Sequence, residues 1–199
     1  MNEDMNIVTW FIVSVAIILA ENIVFHTIFG INAVINAPIR TTYALIAGLI
    51  TMVVLFFSSI LSWTINAYII GNYSLQYFSL VLFILIVYVT IYAVFRLLKL
   101  IFPSFSGFFS ERMPIVAINC LILYCVLNAI TENYEFLPML TAALTAGFGF
   151  TLSLVIFSGV LQRIAFGAVP SPFRGLPIAL ISAGLLSLAF MGYQGLIFR

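Results

Sequence analysis

The chain has 199 residues, of which seven are basic and six acidic, so that only 7% carry charge and the formal net charge is +1. Ordinary soluble domains are about 25% charged. Apolar residues make up 64% of this sequence, more than a core of this size can hide from water. These proportions exclude a soluble globular domain and indicate an integral membrane protein. The small net charge gives no indication of nucleic acid as a partner, and the lipid bilayer is the expected surrounding.

The N-terminal apolar segment begins after three polar residues, Asn2, Glu3 and Asp4. A secretory signal peptide carries Lys or Arg at that place and a small-residue cleavage site further on. Neither feature is found in this sequence. We therefore expect this segment to be retained as the first membrane helix.

Long uncharged runs predict the membrane crossings, because about 20 apolar residues span the hydrocarbon as a helix. The run 41–95 has 55 residues and would be roughly 80 Å long as one helix. It must therefore turn once, and Gly71, Asn72 and Ser74 mark the turn. The sequence predicts an all-α integral membrane protein with six transmembrane helices. Their expected positions are about 5–28, 41–66, 75–97, 113–131, 136–162 and 176–197.

The basic residues predict the orientation, since Lys and Arg in short loops favour the cytoplasmic side. Six of the seven basic residues fall in the loops after the first, third and fifth predicted helices. Those loops are expected to be cytoplasmic, with both termini on the outer side. The six residues are Arg40, Arg96, Lys99, Arg112, Arg163 and Arg174.

The two halves of the chain enter the membrane from opposite sides, because each half has an odd number of predicted crossings. This arrangement is typical of inverted-repeat membrane proteins. We predict a single membrane domain, residues 1–199, of two inverted three-helix repeats at about 1–100 and 105–199, with broken first helices. The first break is expected near Gly30, since 5–37 is too long for one perpendicular crossing; a long tilted helix is the alternative.

Small and carboxamide residues within the predicted crossings indicate helix contacts. Interhelical hydrogen bonds from asparagines such as Asn119 and Asn128 contribute about 0.6–2 kcal/mol each. Small residues let two helices approach closely. Such a small-residue face is predicted from Ala143, Ala146, Gly147 and Gly149.

Three residues within the predicted crossings are candidates for chemistry. Glu21, the single acid in a crossing, is a candidate for an ion or proton path, for pairing with a partner, or for hydration near the cytoplasmic headgroups. His26 is a candidate proton carrier or metal ligand, or it bonds a neighbouring helix. Cys120 is a candidate thiolate ligand, or an inert buried residue. Cys125 lies about 140° further around the helix, so the two thiols are poorly placed to share one metal.

Several motifs are similar to one membrane family. The most specific are VPSPFRG at 169–175, IALISAGL at 178–185 and SLAFMG at 187–192, joined by Glu21-Asn22, Phe29-Gly30 and Asn119-Cys120. With these motifs and its length, the chain resembles the A subunit of the Rnf electron-transport complex and the related E subunit of sodium-pumping NADH:quinone reductase.

The resemblance implies a membrane subunit that is not catalytic alone. It would be one of two homologous, antiparallel subunits in a complex with further Rnf-type or quinone-reductase-type subunits, in the inner (plasma) membrane of a prokaryotic cell. Such complexes couple oxidation of ferredoxin or NADH to movement of Na⁺ or H⁺. Nucleotide and flavin sites belong to other subunits, and this sequence has no motif for them.

The resemblance also implies a [2Fe-2S] cluster to which each paired subunit gives two cysteines. Cys120 matches one of these positions, and Asn32 stands at the other. Because a carboxamide is a poor substitute for a thiolate at iron, we expect the cluster to be lost or altered. His26 is a candidate replacement, since histidine replaces cysteine in Rieske centres. Arg174 matches a loop arginine of the family, either as a partner contact or as a positive-inside anchor.

Two other functions are compatible with the same residues. One is a small inverted-repeat transporter of an ion or solute, without redox chemistry and with Glu21 and His26 in its path. The other is a structural subunit that anchors its neighbours. Flavin-binding and ferredoxin-like subunits encoded nearby would favour the redox complex over both.

Overall fold

The structure, a computed structural model, describes residues 30–35, 40–70, 79–101, 119–167 and 169–197. These residues are helical apart from short turns, and no strand occurs among them. The first predicted crossing, with Glu21 and His26, lies outside the described residues.

Six α-helices follow one another within the described ranges. Three of them, α2, α3 and α5, are long and apolar enough to cross a membrane, while α4 and α6 are counted among shorter apolar helices. The protein is therefore an all-α, multi-pass membrane protein. The helices are α1 (Ile31–Ile35), α2 (Thr41–Ile65, continued by a π-helical turn at Asn66–Ile70), α3 (Ser79–Ile101), α4 (Cys120–Thr131), α5 (Phe136–Ala165) and α6 (Leu176–Ile197).

Four of these helices match predicted segments within a few residues, namely α2, α3, α5 and α6. Asn119 interrupts the predicted fourth crossing, 113–131, and the segment 113–118 before it lies outside the described residues. Asn119 has extended backbone (φ −121°, ψ 131°), and the helix begins only at Cys120. With 12 residues, α4 is roughly 18 Å long, about half of what the hydrocarbon needs. The count of six crossings stays a prediction.

Helices α2 and α5 form the central pair of the fold and run antiparallel. At one end, the Thr41 hydroxyl donates to Oε1 of Gln162 over 3.4 Å. At the other end, the rings of Trp63 and Phe136 are in edge contact, with centroids 5.3 Å apart. The start of α2 thus meets the end of α5, and the end of α2 meets the start of α5.

Glycines allow the central pair to pack closely. A Cβ added to Gly48 would lie 2.7 Å from Cγ2 of Thr151, and one added to Gly147 would lie 2.6 Å from Cγ of Met52. A side chain at either position would force a group of the facing helix to move, so the two helices approach closely at these glycines. The predicted small-residue face is buried in this structure. Its members are Ala143, Ala146, Gly147 and Gly149.

Helix α4 ends near the same side of the fold as α2. The indole Nε1 of Trp63, near the end of α2, donates to the carbonyl oxygen of Tyr134, just beyond α4, over 3.0 Å. Because α4 is only half a crossing long, its first residue, Cys120, lies roughly 18 Å back from this end. The start of α4 is therefore placed at about half the depth of the central pair.

Candidate functional site

Gly30 has a left-handed backbone immediately before α1. Its φ is +85°, in the left-handed region that glycine adopts readily and other residues adopt at a cost. The N–H groups of Ala33 and Val34 then donate to the Gly30 carbonyl over 3.0 and 3.2 Å, which starts the helix. This backbone agrees with the predicted break near Gly30 and excludes one uninterrupted helix through that residue.

Asn119 caps the start of α4. Its Oδ1 accepts a hydrogen bond from the N–H of Leu121 over 3.0 Å, and its carbonyl accepts from the N–H of Ile122 over 3.1 Å. Asparagine is among the best residues at this position, because its short side chain satisfies an N–H that the helix leaves free. The cap explains why the helix begins at Cys120 within an otherwise apolar run.

The two helix starts are in contact. The backbone N–H of Gly30 donates to Sγ of Cys120 over 3.2 Å. A Cβ on Gly30 would lie 3.0 Å from Oδ1 of Asn119 and 3.2 Å from Cε2 of Phe150. Phe150 is the fifteenth of the 30 residues of α5, so the contact lies near the middle of a helix that is long enough to cross the membrane.

Asn32 lies in the first turn of α1, two residues after the Gly30 contact with Cys120. The structure therefore brings the chain segment of Asn32 to Cys120, as the resemblance implies. What these residues bind stays a prediction. The other two candidates, Glu21 and His26, lie outside the described ranges.

Cys120 is exposed on the surface of the subunit, although it begins a helix at half depth. Cys120 is therefore not buried in this subunit, and its role as a ligand stays a prediction. An N–H group and the N-terminal end of the 12-residue α4 both present partial positive charge to its sulfur. Such surroundings suit a sulfur that binds something at the subunit surface.

Cys125 lies in different surroundings from Cys120. It is half-buried and packs against the hydrophobic core. This agrees with the prediction that the two thiols do not face one site. No group of three or more His, Cys, Asp or Glu side chains comes together among the described residues.

The amino group of the Asn119 carboxamide, with its two N–H donors, is unused. The residue is 7% exposed, and its Nδ2 has no hydrogen-bond partner in the described part of the chain. Sequence reasoning treated Asn119 as an interhelical contact and missed its role as a cap. An asparagine directly before an apolar periodic run is a recognisable helix-start signal.

Arg174 lies in the turn between α5 and α6 and is exposed. Its Nε donates to the carbonyl oxygen of Val169 in the same turn over 3.0 Å. Nε is thus engaged in holding the turn, while the exposed side chain remains compatible with either predicted role, a partner contact or a positive-inside anchor.

The fold and this site define a multi-pass, all-α membrane protein in which a half-length helix starts inside the membrane and presents a cysteine to the outside of the subunit. The profile of a family described as "Rnf-Nqr subunit, membrane protein" matches residues 10–197. The chain belongs to this family, as its motifs indicate.

Curated relatives extend over nearly the whole chain. The A subunit of the ion-translocating oxidoreductase complex of Pseudomonas paraeruginosa is 34% identical over 187 residues, which are 94% of this chain and 96% of the relative. The protein of the same name from Sodalis glossinidius is 31% identical over 180 residues, or 90% of this chain and 93% of the relative. A third, from Aliivibrio salmonicida, is 31% identical over 180 residues, with the same coverage of 90% and 93%.

Proposed function

We propose that this protein is a membrane subunit of an ion-translocating oxidoreductase complex, with the same place in it as the relatives have in theirs. The observation that carries the proposal is the contact between Gly30 and Cys120 in a chain of the Rnf-Nqr family. The names of its relatives support the same function. The complex would couple oxidation of ferredoxin or NADH to transport of Na⁺ or H⁺, with this chain helping to relay electrons across the membrane.

The donor set at Cys120 does not fit a contribution of two thiolates. Cys120 supplies one sulfur, and Asn32 stands where the family has the second. A carboxamide is a weaker ligand than a thiolate for iron, and Nδ2 of Asn119, the preceding residue, is a hydrogen-bond donor and not a ligand. We therefore propose that the [2Fe-2S] cluster of the family is lost or altered in this protein. His26 stays a candidate ligand.

The distribution of charge supports a cytoplasmic side. Arg40 and Arg163 flank the end of the central pair where Thr41 meets Gln162, and both are exposed. Glu132 and Glu135 are exposed at the opposite end, next to the contact between Trp63 and Tyr134. This asymmetry agrees with the positive-inside rule. We propose an inner-membrane location with both termini on the outer side.

The proposed partners are a homologous antiparallel membrane subunit and the other subunits of an Rnf-type or quinone-reductase-type complex. The exposed sulfur of Cys120 supports this arrangement, since a ligand facing the outside of one subunit is completed by another.

Purification of the native complex tests the proposal. We expect the chain to copurify with redox subunits, and purification as a lone stable homodimer would instead favour the transporter. Where an altered cluster is retained, its iron content and electron paramagnetic resonance signal should change in Cys120→Ala and remain unchanged in the matched variant Cys125→Ala; a native complex without cluster iron would show that the cluster is lost. A cluster signal in electron paramagnetic resonance that is the same in Cys120→Ala as in the unmodified complex would contradict the ligand role of Cys120.

A second experiment tests the ion path. If Glu21 lies on it, Glu21→Gln is expected to lower ion-dependent turnover while electron input from the donor continues. Ion-dependent turnover equal to that of the unmodified complex would contradict a role for Glu21 in the path.

A further inference from the structure

The outward face of α3 carries two tyrosines. Tyr88 is 62% exposed and Tyr92 is 64% exposed. Residues four positions apart lie on the same face of a helix, one turn from each other. Their neighbours on this face are apolar, namely Val81, Leu85 and Val89, together with the small residue Ala93.

Both tyrosines lie at hydrocarbon depth. Arg96 and Lys99, near the end of α3, mark the headgroup region on that side. Tyr92 precedes Arg96 by one turn, roughly 6 Å, and Tyr88 precedes it by roughly 12 Å. Helical side chains lean toward the N-terminus, which carries both phenol groups still further from the headgroups. Both hydroxyls therefore lie within the depth of the hydrocarbon layer, which is about 30 Å thick.

Neither phenol hydroxyl has a hydrogen-bond partner among the residues that the structure describes. Shorter hydroxyls in these helices bond to carbonyls of their own helix: Thr90 to Ile86 over 2.8 Å, for example. A tyrosine hydroxyl lies at the far end of a rigid ring, too far from the backbone to reach a carbonyl of its own helix. Moving a hydroxyl from water into an alkane without a partner is unfavourable, and lipid tails offer no acceptor.

The exposed face of α2 has a different composition. From Leu45 to Leu61 one side chain per turn is exposed along it, and each of these is apolar, while the exposed polar residues of α2, Thr42 and Thr64, lie at its two ends. Such a face suits lipid tails, so the tyrosine pair is a particular feature of α3. The residues of the α2 face are Leu45, Leu49, Val53, Phe57 and Leu61.

We propose that a transmembrane helix of a different protein subunit covers the Tyr88–Tyr92 face of α3 and offers oxygen acceptors to both phenol hydroxyls. The acceptors are serine, threonine or asparagine side chains, or backbone carbonyls that the small Ala93 allows to come close. Tyrosine is otherwise enriched at the membrane interfaces and not in the hydrocarbon. The identity of the partner rests on the proposed function, because the relatives are named as subunits of a complex.

Site-specific photo-cross-linking in the intact complex tests this proposal. A benzophenone amino acid replaces Tyr88, and the same probe at Phe57, on the apolar α2 face, is the matched control. We expect the probe at 88 to label another subunit, identified by mass spectrometry, and the probe at 57 to label lipid. Labelling at 88 of lipid alone, of a second copy of this chain or of another segment of this chain would overturn the proposal.

Removal of the hydroxyls gives an independent measurement. The double variant Tyr88→Phe, Tyr92→Phe keeps both rings and is expected to weaken retention of the protein in the complex by about threefold per hydroxyl, the factor of an average interhelical hydrogen bond in a membrane. The thermal stability of the isolated chain should not change. Retention equal to that of the unmodified protein would count against the proposal.

The cross-linking result also separates the interface from the proposed function. A cross-link from position 88 to one of the redox subunits supports both. A cross-link to a membrane protein of another kind supports the interface on α3 and contradicts the oxidoreductase function.

Discussion

Gly30 allows the two helix starts to touch, for two separate reasons. Its backbone is left-handed, and a Cβ there would meet Asn119 and Phe150 at 3.0–3.2 Å. Its N–H also provides the contact to Sγ of Cys120. The position of the sulfur thus depends on a residue without a side chain.

Gly30→Ala is expected to destabilise the isolated protein by more than the strain of a left-handed alanine, which costs about 1–2 kcal/mol. Gly175→Ala is the matched control, because Gly175 has a φ of +84° with nothing within 4 Å of an added Cβ. Thermal unfolding in detergent measures both. The same loss in the two variants would show that the contacts with Asn119 and Phe150 contribute nothing.

The cap at Asn119 makes a separate contribution to stability. Asn119→Ala leaves the N–H of Leu121 without its acceptor and is expected to cost about 1 kcal/mol. Asn119→Ser keeps an acceptor and should remain close to the unmodified protein, since serine caps about as well as asparagine. If thermal unfolding shows equal losses for serine and alanine, the capping bond does not stabilise α4.

The site around Cys120 was only partly predictable from the amino-acid sequence. A resemblance to a family placed Cys120 opposite the turn near Asn32, and the contact between Gly30 and Cys120 agrees with that placement. Composition and spacing alone left Cys120 as either a ligand or a buried apolar residue. The exposure of Cys120 depends on which helices pack around α4, and the residues near Cys120 in the sequence do not determine that packing.

At the scale of elements, the central pair depends on two glycine contacts that are not equivalent. A Cβ on Gly48 would lie 2.8 Å from the backbone Cα of Thr151, so relief requires the helices to separate. A Cβ on Gly147 would lie 2.6 Å from Cγ and 3.2 Å from Cα of Met52. The flexible methionine side chain can give way more easily than a backbone.

Gly48→Ala is therefore expected to destabilise the protein more than Gly147→Ala, with a loss of about 1–3 kcal/mol for overpacking. Gly159→Ala, also in α5 but with nothing within 4 Å of an added Cβ, is expected to be neutral or stabilising, because alanine favours helix more than glycine does. Thermal unfolding of the three variants in the same detergent gives the order of their stabilities. A Gly159→Ala protein as unstable as Gly48→Ala would contradict the steric explanation.

Apolar run length predicted α2, α3, α5 and α6 because each of these helices is continuous over a stretch comparable to the hydrocarbon thickness. The same signal does not show the interruption inside the predicted segment 113–131. A single polar residue, Asn119, barely changes the mean hydropathy of a segment of about 20 residues. Its backbone is nevertheless extended, and its side chain caps the helix that begins at Cys120. Breaks of this kind depend on capping chemistry, which hydropathy does not measure.

At the scale of the whole molecule, charge asymmetry predicts the orientation. A reporter enzyme that is active only outside the cytoplasm should be active when fused at Arg199, because both termini are expected on the outer side. The same reporter fused after Arg174, in a predicted cytoplasmic loop, should be inactive. Reporter activity after Arg174 and none at Arg199 would show that the topology is the reverse of the predicted one.

The number of sulfur ligands at Cys120 limits what the proposed site can bind. Asn32→Cys places a second thiol two residues after the Gly30 contact with Cys120, at the position where the resemblance implies one. Because thiolates bind iron far better than carboxamides, we expect this variant to raise the iron bound per complex. Asn128→Cys adds a thiol eight residues after Cys120 in α4 and should leave the iron content unchanged. Equal iron in the two variants, or a native complex that already carries a full cluster, would show that Asn32 does not limit the site.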